Sequence, residues 1–145
     1  MTDFTKQTKS ISEKSIKRDW YLVDVKGKIL GRVIRDVVNH LTGKNKVNYV
    51  SYLDSGDNVV VINASGVKLS GKKMETKIYT NYSGYPSGLR TVSIQKLFQT
   101  RPQEIITHAV SGMLPKNKHR DKRMARLFVF PSDKHSYTDK FKVKS

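Results

Sequence analysis

Residues 112–126, GMLPKNKHRDKRMAR, hold the densest chemistry in the chain. Lys116, Lys118, Arg120, Lys122, Arg123 and Arg126 stand against one acid, Asp121, for a net charge of +5, with His119 among them. Ammonium and guanidinium groups packed this closely repel one another, so folding alone gains nothing by gathering them. A row of phosphates does reward it, and the commonest polyanion in a cell is nucleic acid. The chemistry on offer is ionic binding, with no bond made or broken.

Three other patterns hint at reactive chemistry, and each fails on its own mechanics. Residues 66–73, GVKLSGKK, approach a phosphate-cradling loop. Such a loop needs Ser or Thr after the lysine to hold magnesium, and Lys73 occupies that place after Lys72. Residues 27–31, GKILG, lack the third glycine of a dinucleotide fingerprint and the distant acid that would hold a ribose. His40, His108, His119 and His135 do not fall at metal-ligand spacing along a helix, and with no cysteine in the chain none can complete a Cys-ligated site. The missing thiols also exclude disulfides and a cysteine nucleophile. We therefore expect no catalytic residues, no metal and no cofactor.

The whole chain shares the bias of residues 112–126. It has 145 residues, 28 of them Lys or Arg and 12 Asp or Glu, for a formal charge of +16, which exceeds what solubility requires. The length suits a single domain, and 37% hydrophobic residues suffice for a core. There is no long apolar run, so no membrane span is expected. Residues 1–17 are polar, basic and rich in Ser and Thr with no apolar stretch for a secretory signal, and with Asp3, Glu13 and little Arg they read as a loosely ordered arm in preference to a transit peptide. The expected domain covers residues 18–138, with a basic tail at 139–145.

The folded part must position these charges. Residues 20–25 alternate as a strand does. Residues 31–42 place Val33, Ile34, Val37, Val38 and Leu41 on one helical face, with Arg32 and Arg35 off it and Gly43 as the stop. Asn58–Ile62, entered through the turn 54–57, is β-branched with apolar residues on both faces, as a central strand covered on both sides requires. Residues 67–70 and 77–79 read as short extended pieces around a Gly71 turn. Ser93 is a candidate N-cap for a helix over 94–99. Thr100 and Gln103 suggest a capping box around Pro102 for a second helix, whose stripe is Ile105, Ile106, Ala109, Val110 and Met113. A last strand over 127–130 ends at Pro131. This order of elements indicates an α/β fold with a parallel or mixed sheet and helices on both faces.

The remaining signals favour RNA. Tyr79, Tyr82 and Tyr85 recur every three residues in a Gly/Pro-rich segment ending at Arg90, and tyrosines offer a stacking face suited to irregular RNA. Lys44 and Lys46 follow the first helix, and Lys72 and Lys73 sit at a turn. Each pair alone reads as a solvated surface, but together with residues 116–126 phosphate contact explains them better. No RNA-recognition-motif or KH signature is present.

The blocks WYLVDVKGKILGR, YLDSGDNVVVINA, YTNYSGYPSGLR, RPQEIITHAVSGMLPKN and LFVF followed by a histidine occur in order from about Trp20 to His135. In these the chain resembles the L-thirteen family of large-subunit ribosomal proteins, in its bacterial or organellar form. The resemblance implies a three-layer α/β/α sandwich with a short, mainly parallel sheet. It also implies direct binding to large-subunit ribosomal RNA, neighbouring large-subunit proteins as partners, and a part in early subunit assembly. The implied location is the cytoplasmic ribosome, bacterial before organellar. Carried over by position, residues 82–90 and 116–126 face the RNA, with the 44–46 turn behind them. The family pattern has a glycine after MLPKN, whereas residues 118–123, KHRDKR, have none, so a different loop path is expected there. The rival functions are a free regulator of messenger RNA and a nucleic-acid-modifying enzyme.

Overall fold

The computed structural model describes residues 11–141. The rest of the expected arm (1–10) and of the expected tail (142–145) lies outside them. Among the described residues the strands are β1 (Trp20–Asp24), β2 (Asn58–Ile62), β3 (Ile78–Tyr82), β4 (Leu89–Ser93) and β5 (Leu127–Val129). The helices are α1 (Leu30–Thr42), α2 (Lys73–Thr76), α3 (Ile94–Thr100), α4 (Pro102–Met113), α5 (Arg120–Met124) and α6 (Thr138–Phe141).

The core sheet is parallel in the order β1-β2-β5. Its register aligns Val23 with Val61 and Val61 with Val129, and on the next rung Leu22 with Val60 and Val60 with Phe128. Alternation along each strand therefore separates two faces. Val59, Val61, Val23 and Val129 face the apolar stripes of α1 and α4 in one continuous core. On the opposite face Trp20 stacks on Phe128 (5.7 Å) and Tyr137 (5.2 Å), and Phe141 of α6 meets Trp20 edge-on at 6.4 Å. The layers are thus α1 with α4, the sheet, and the aromatic segment ending in α6. Val59, Val60 and Val61 are 0% exposed, as expected of a central strand whose neighbours cover both faces. Residues 139–141 of the expected tail belong to α6, which packs against β1.

α1 follows its apolar period closely. Val33, Ile34, Val37, Val38 and Leu41 are buried, while Arg32 and Arg35 are exposed. Gly43 ends it in the left-handed region (φ 79°), where its N–H reaches Asn39 O and His40 O and the Lys44 N–H also reaches Asn39 O.

Two local expectations are corrected, and a third is refined. The extended pieces at 67–70 and 77–79 do flank a turn at Gly71, but they find separate partners. Lys68 bridges in parallel to Ile29, α2 intervenes, and β3 pairs antiparallel with β4. The run Leu89–Ser93 is what β3 needs as a partner, and the Gly/Pro segment is the turn that joins them. Thr100 does not cap α4, because it lies in the last turn of α3 with its hydroxyl donated to Lys96 O (2.9 Å). Arg101 occupies the cap position without a side-chain cap. Met113 lies outside the core, since the chain turns extended just after it and buries Leu114 in its place. Ser93 does cap α3, its hydroxyl accepting from Lys96 N at 3.4 Å.

Candidate nucleic-acid interface

The turn Asp54–Asp57 between α1 and β2 organises much of the charge. It docks on the end of α1 so tightly that a side chain at Gly56 would collide with the Leu41 carbonyl, and Asp57 N–H donates to His40 O at 3.0 Å. This places the Asp54 carboxylate between three arginines. Arg126 meets it with two parallel hydrogen bonds (2.7 and 2.8 Å), Arg123 donates through Nε at 3.2 Å, and Arg18 lies 3.9 Å away. Burial alone would raise the Asp54 pKa. The Arg126 and Arg123 guanidiniums outweigh it and hold the carboxyl below the usual carboxylate range. Asp57 plays a parallel role for Lys46, whose Nζ also donates to the Lys17 and Ser55 carbonyls at 2.7 and 3.0 Å.

The sixteen cationic and aromatic residues expected at the surface divide accordingly. Arg123, only 2% exposed, points inward to Asp54, and Arg126 is largely buried on the same carboxylate. Lys46 is half-buried against Asp57. The structure thus sets these three expected contacts on carboxylates and not in open solvent. Their cations already have carboxylate partners, and taking them away would strand a buried charge. Arg32, Arg35, Lys44, Lys72, Lys73, Arg90, Lys116, Lys118 and Lys122 are exposed, and none of them pairs with an acid among the described residues. Arg120 is half-buried, 3.9 Å from Asp121. His119 precedes α5, its N–H donated to Asn117 Oδ1 at 3.1 Å. In place of the loop expected through 118–123, residues 120–124 form the short helix α5. Lys118, His119 and Lys122 border one cleft with Tyr52 and Asp54.

Lys118, His119, Lys122, Arg123 and Arg126 therefore gather around the Asp54 turn. The tyrosines and Arg90 belong to a separate zone, the two-stranded sheet β3-β4. Tyr82 and Tyr85 are 61% and 73% exposed. Tyr79 packs inward, stacked on His108 at 5.2 Å, and burial pushes its hydroxyl pKa up. Lys72 holds the cap position and Lys73 opens α2, which packs on α3. Arg32 and Arg35 lie on the solvent face of α1. Asp54, Asp57 and Arg18 carry no such signal in the sequence, where residues 54–57 read only as a turn. The available hint is two acids flanking Ser-Gly in a chain with few acids.

Among the described residues no three His, Asp or Glu side chains gather as they would around a metal ion, and no helix is long and apolar enough to cross a membrane.

An α/β core whose buried acids hold some cations inward, while many others face solvent, defines the class as a small, strongly basic α/β protein. A family model described as Ribosomal protein L13 matches residues 18–136, and the chain belongs to that family. It is 46% identical over 122 residues to the large ribosomal subunit protein uL13 of Clostridioides difficile (strain 630), covering 84% of this chain and 85% of that one. The uL13 of Caldanaerobacter subterraneus subsp. tengcongensis is 45% identical with the same coverage. That of Geobacter sp. (strain M21) is 40% identical over 131 residues, covering 90% of this chain and 92% of its own.

Proposed function

We propose that this chain is a non-catalytic constituent of the large ribosomal subunit in the bacterial cytoplasm. There it binds large-subunit ribosomal RNA directly, contacts neighbouring large-subunit proteins, and supports early subunit assembly and translation. The observation that carries this is the family match over nearly the whole folded chain. The cations facing solvent without acidic partners support it independently. Lys and Arg displace counterions condensed on RNA, and segments that would repel each other can then approach. The α/β core fixes where those charges stand, and duplex RNA is met through shape and phosphates more than through base edges.

The contact residues proposed at the surface are Arg32, Arg35, Lys44, Lys72, Lys73, Tyr82, Tyr85, Arg90, Lys116, Lys118, His119, Arg120 and Lys122. Lys46, Arg123 and Arg126 act one step back, by holding the Asp54 turn. Sedimentation of a lysate through a sucrose gradient tests the function. The protein is expected to travel with the large subunit and to stay there after a high-salt wash. A pool found free or on messenger RNA would overturn this assignment.

A further inference from the structure

The β3-β4 sheet does not lie flat on the rest of the molecule. Between it and the α3–α4 corner runs a groove of about 660 Å³, within the roughly 300–1,000 Å³ typical of small-ligand sites. Four elements and one junction supply its lining. β3 contributes Tyr79 and Asn81, β4 Arg90, α3 Leu97, α4 Glu104 and His108, and Arg101 stands between the two helices. Val92 and Leu97 give it an apolar floor.

The geometry points to a docking site for one unpaired ribonucleotide of the bound RNA, with its base stacked on His108 and its phosphates held by Arg90 and Arg101. Tyr79 lies against His108 at 5.2 Å between ring centres and 26° between ring planes, so the imidazole is braced from behind. Lys77 sits 5.2 Å from the centre of the Tyr79 ring and adds positive charge nearby. His108 itself is exposed, which leaves ring surface open to a base. Glu104 is the one acid in the lining, and Arg101 already meets it at 3.0 Å on the surface. An exposed pair of this kind is weak, so a phosphate can recruit the guanidinium without a large loss. Asn81 brings an amide able to meet a base edge. A fully paired helix keeps its bases stacked inside and cannot use the imidazole, whereas a bulged or loop nucleotide can.

This site rests on the ribosomal-RNA assignment, so the experiment separates the two. The full-length protein is titrated with an RNA hairpin carrying one 2-aminopurine in its loop, and with the fully paired counterpart. Loop binding is expected to quench the unstacked fluorophore, while the paired RNA, whose fluorophore is already stacked and dim, shows no change when protein is added. His108→Ala should abolish the quenching and weaken loop binding by roughly 5- to 150-fold, the range for losing one stacked base. His108→Phe should restore both. Quenching that survives His108→Ala, or that the paired RNA matches, would overturn the site. Salt-sensitive binding to ribosomal RNA without quenching would remove the groove and keep the parent assignment. Absence of salt-sensitive binding would remove both.

Discussion

Asp54 is one of only 12 acidic residues facing 28 basic ones, and it lies where three arginines converge. Replacing it by Asn keeps the shape but leaves the buried Arg123 charge without a counter-charge. Breaking a buried pair in this way costs about 3–5 kcal/mol, and urea denaturation of Asp54→Asn should show a loss of that order. The pH dependence follows from the same pairing. The folded carboxyl has its pKa held down by the guanidiniums. Its contribution is therefore full above the unfolded value of about 3.9 and is lost as pH falls through the lower folded value. Asp54→Asn should shrink the acid limb of the stability profile without erasing it. Asp24 is also held down, by hydrogen bonds from the Asn63 side chain (2.9 Å) and the Lys26 N–H (3.0 Å), and it would still titrate there.

At the scale of elements, the turn Asp54–Asp57 and the β3-β4 pair behave oppositely. The turn is wedged against the end of α1, so even one methyl group at Gly56 meets backbone. Gly56→Ala is expected to lose at least the roughly 1–3 kcal/mol of an overpacked core, read as a lower denaturation midpoint. The hairpin is exposed along almost every position of both strands. Two strands with so little burial are marginal by themselves, and local opening follows burial. Native-state hydrogen exchange should find the β3 and β4 amides far less protected than those of Val59–Val61, with protection rising when RNA binds. Tyr85→Ala should leave the stability of the free protein within about 0.5 kcal/mol, as for other exposed positions, while weakening RNA binding.

For the molecule as a whole, the division between outward and inward cations is the quantity to test. Replacing Lys116, Lys118 and Lys122 together with Ala should flatten the dependence of log affinity for ribosomal RNA on log salt. The slope should change by about 0.7–0.9 for each phosphate that is no longer neutralised. Thermal unfolding of the free protein should barely move, because none of the three pairs with an acid among the described residues. Arg123→Ala should do the reverse, lowering stability first and binding only through it. If the triple variant keeps the parent salt slope, the exposed lysines are merely solvated.

Much of the architecture is legible as local pattern. The apolar stripe of α1, the doubly covered β2, the Gly43 stop and the Ser93 cap all follow from rules acting over a few neighbouring residues, and so does the total charge. Patterns that depend on a partner's position are less legible. Residues 67–70 and 77–79 have strand-like composition, but only the packed chain decides that Ile78 pairs with Ser93 across the Tyr-Gly-Pro turn. The same limit governs the site. The charge of residues 112–126 can be counted directly, and the block around it carries the family resemblance. Which of its cations face outward depends on Asp54, 69 residues before Arg123 and 72 before Arg126. Periodicity and composition are properties of neighbours along the chain, whereas the burial of a charge is set by what the fold brings to it. The sequence alone therefore determined that this protein is basic, α/β and of its family. Only the tertiary structure decided which arginines brace the surface and which lysines form it.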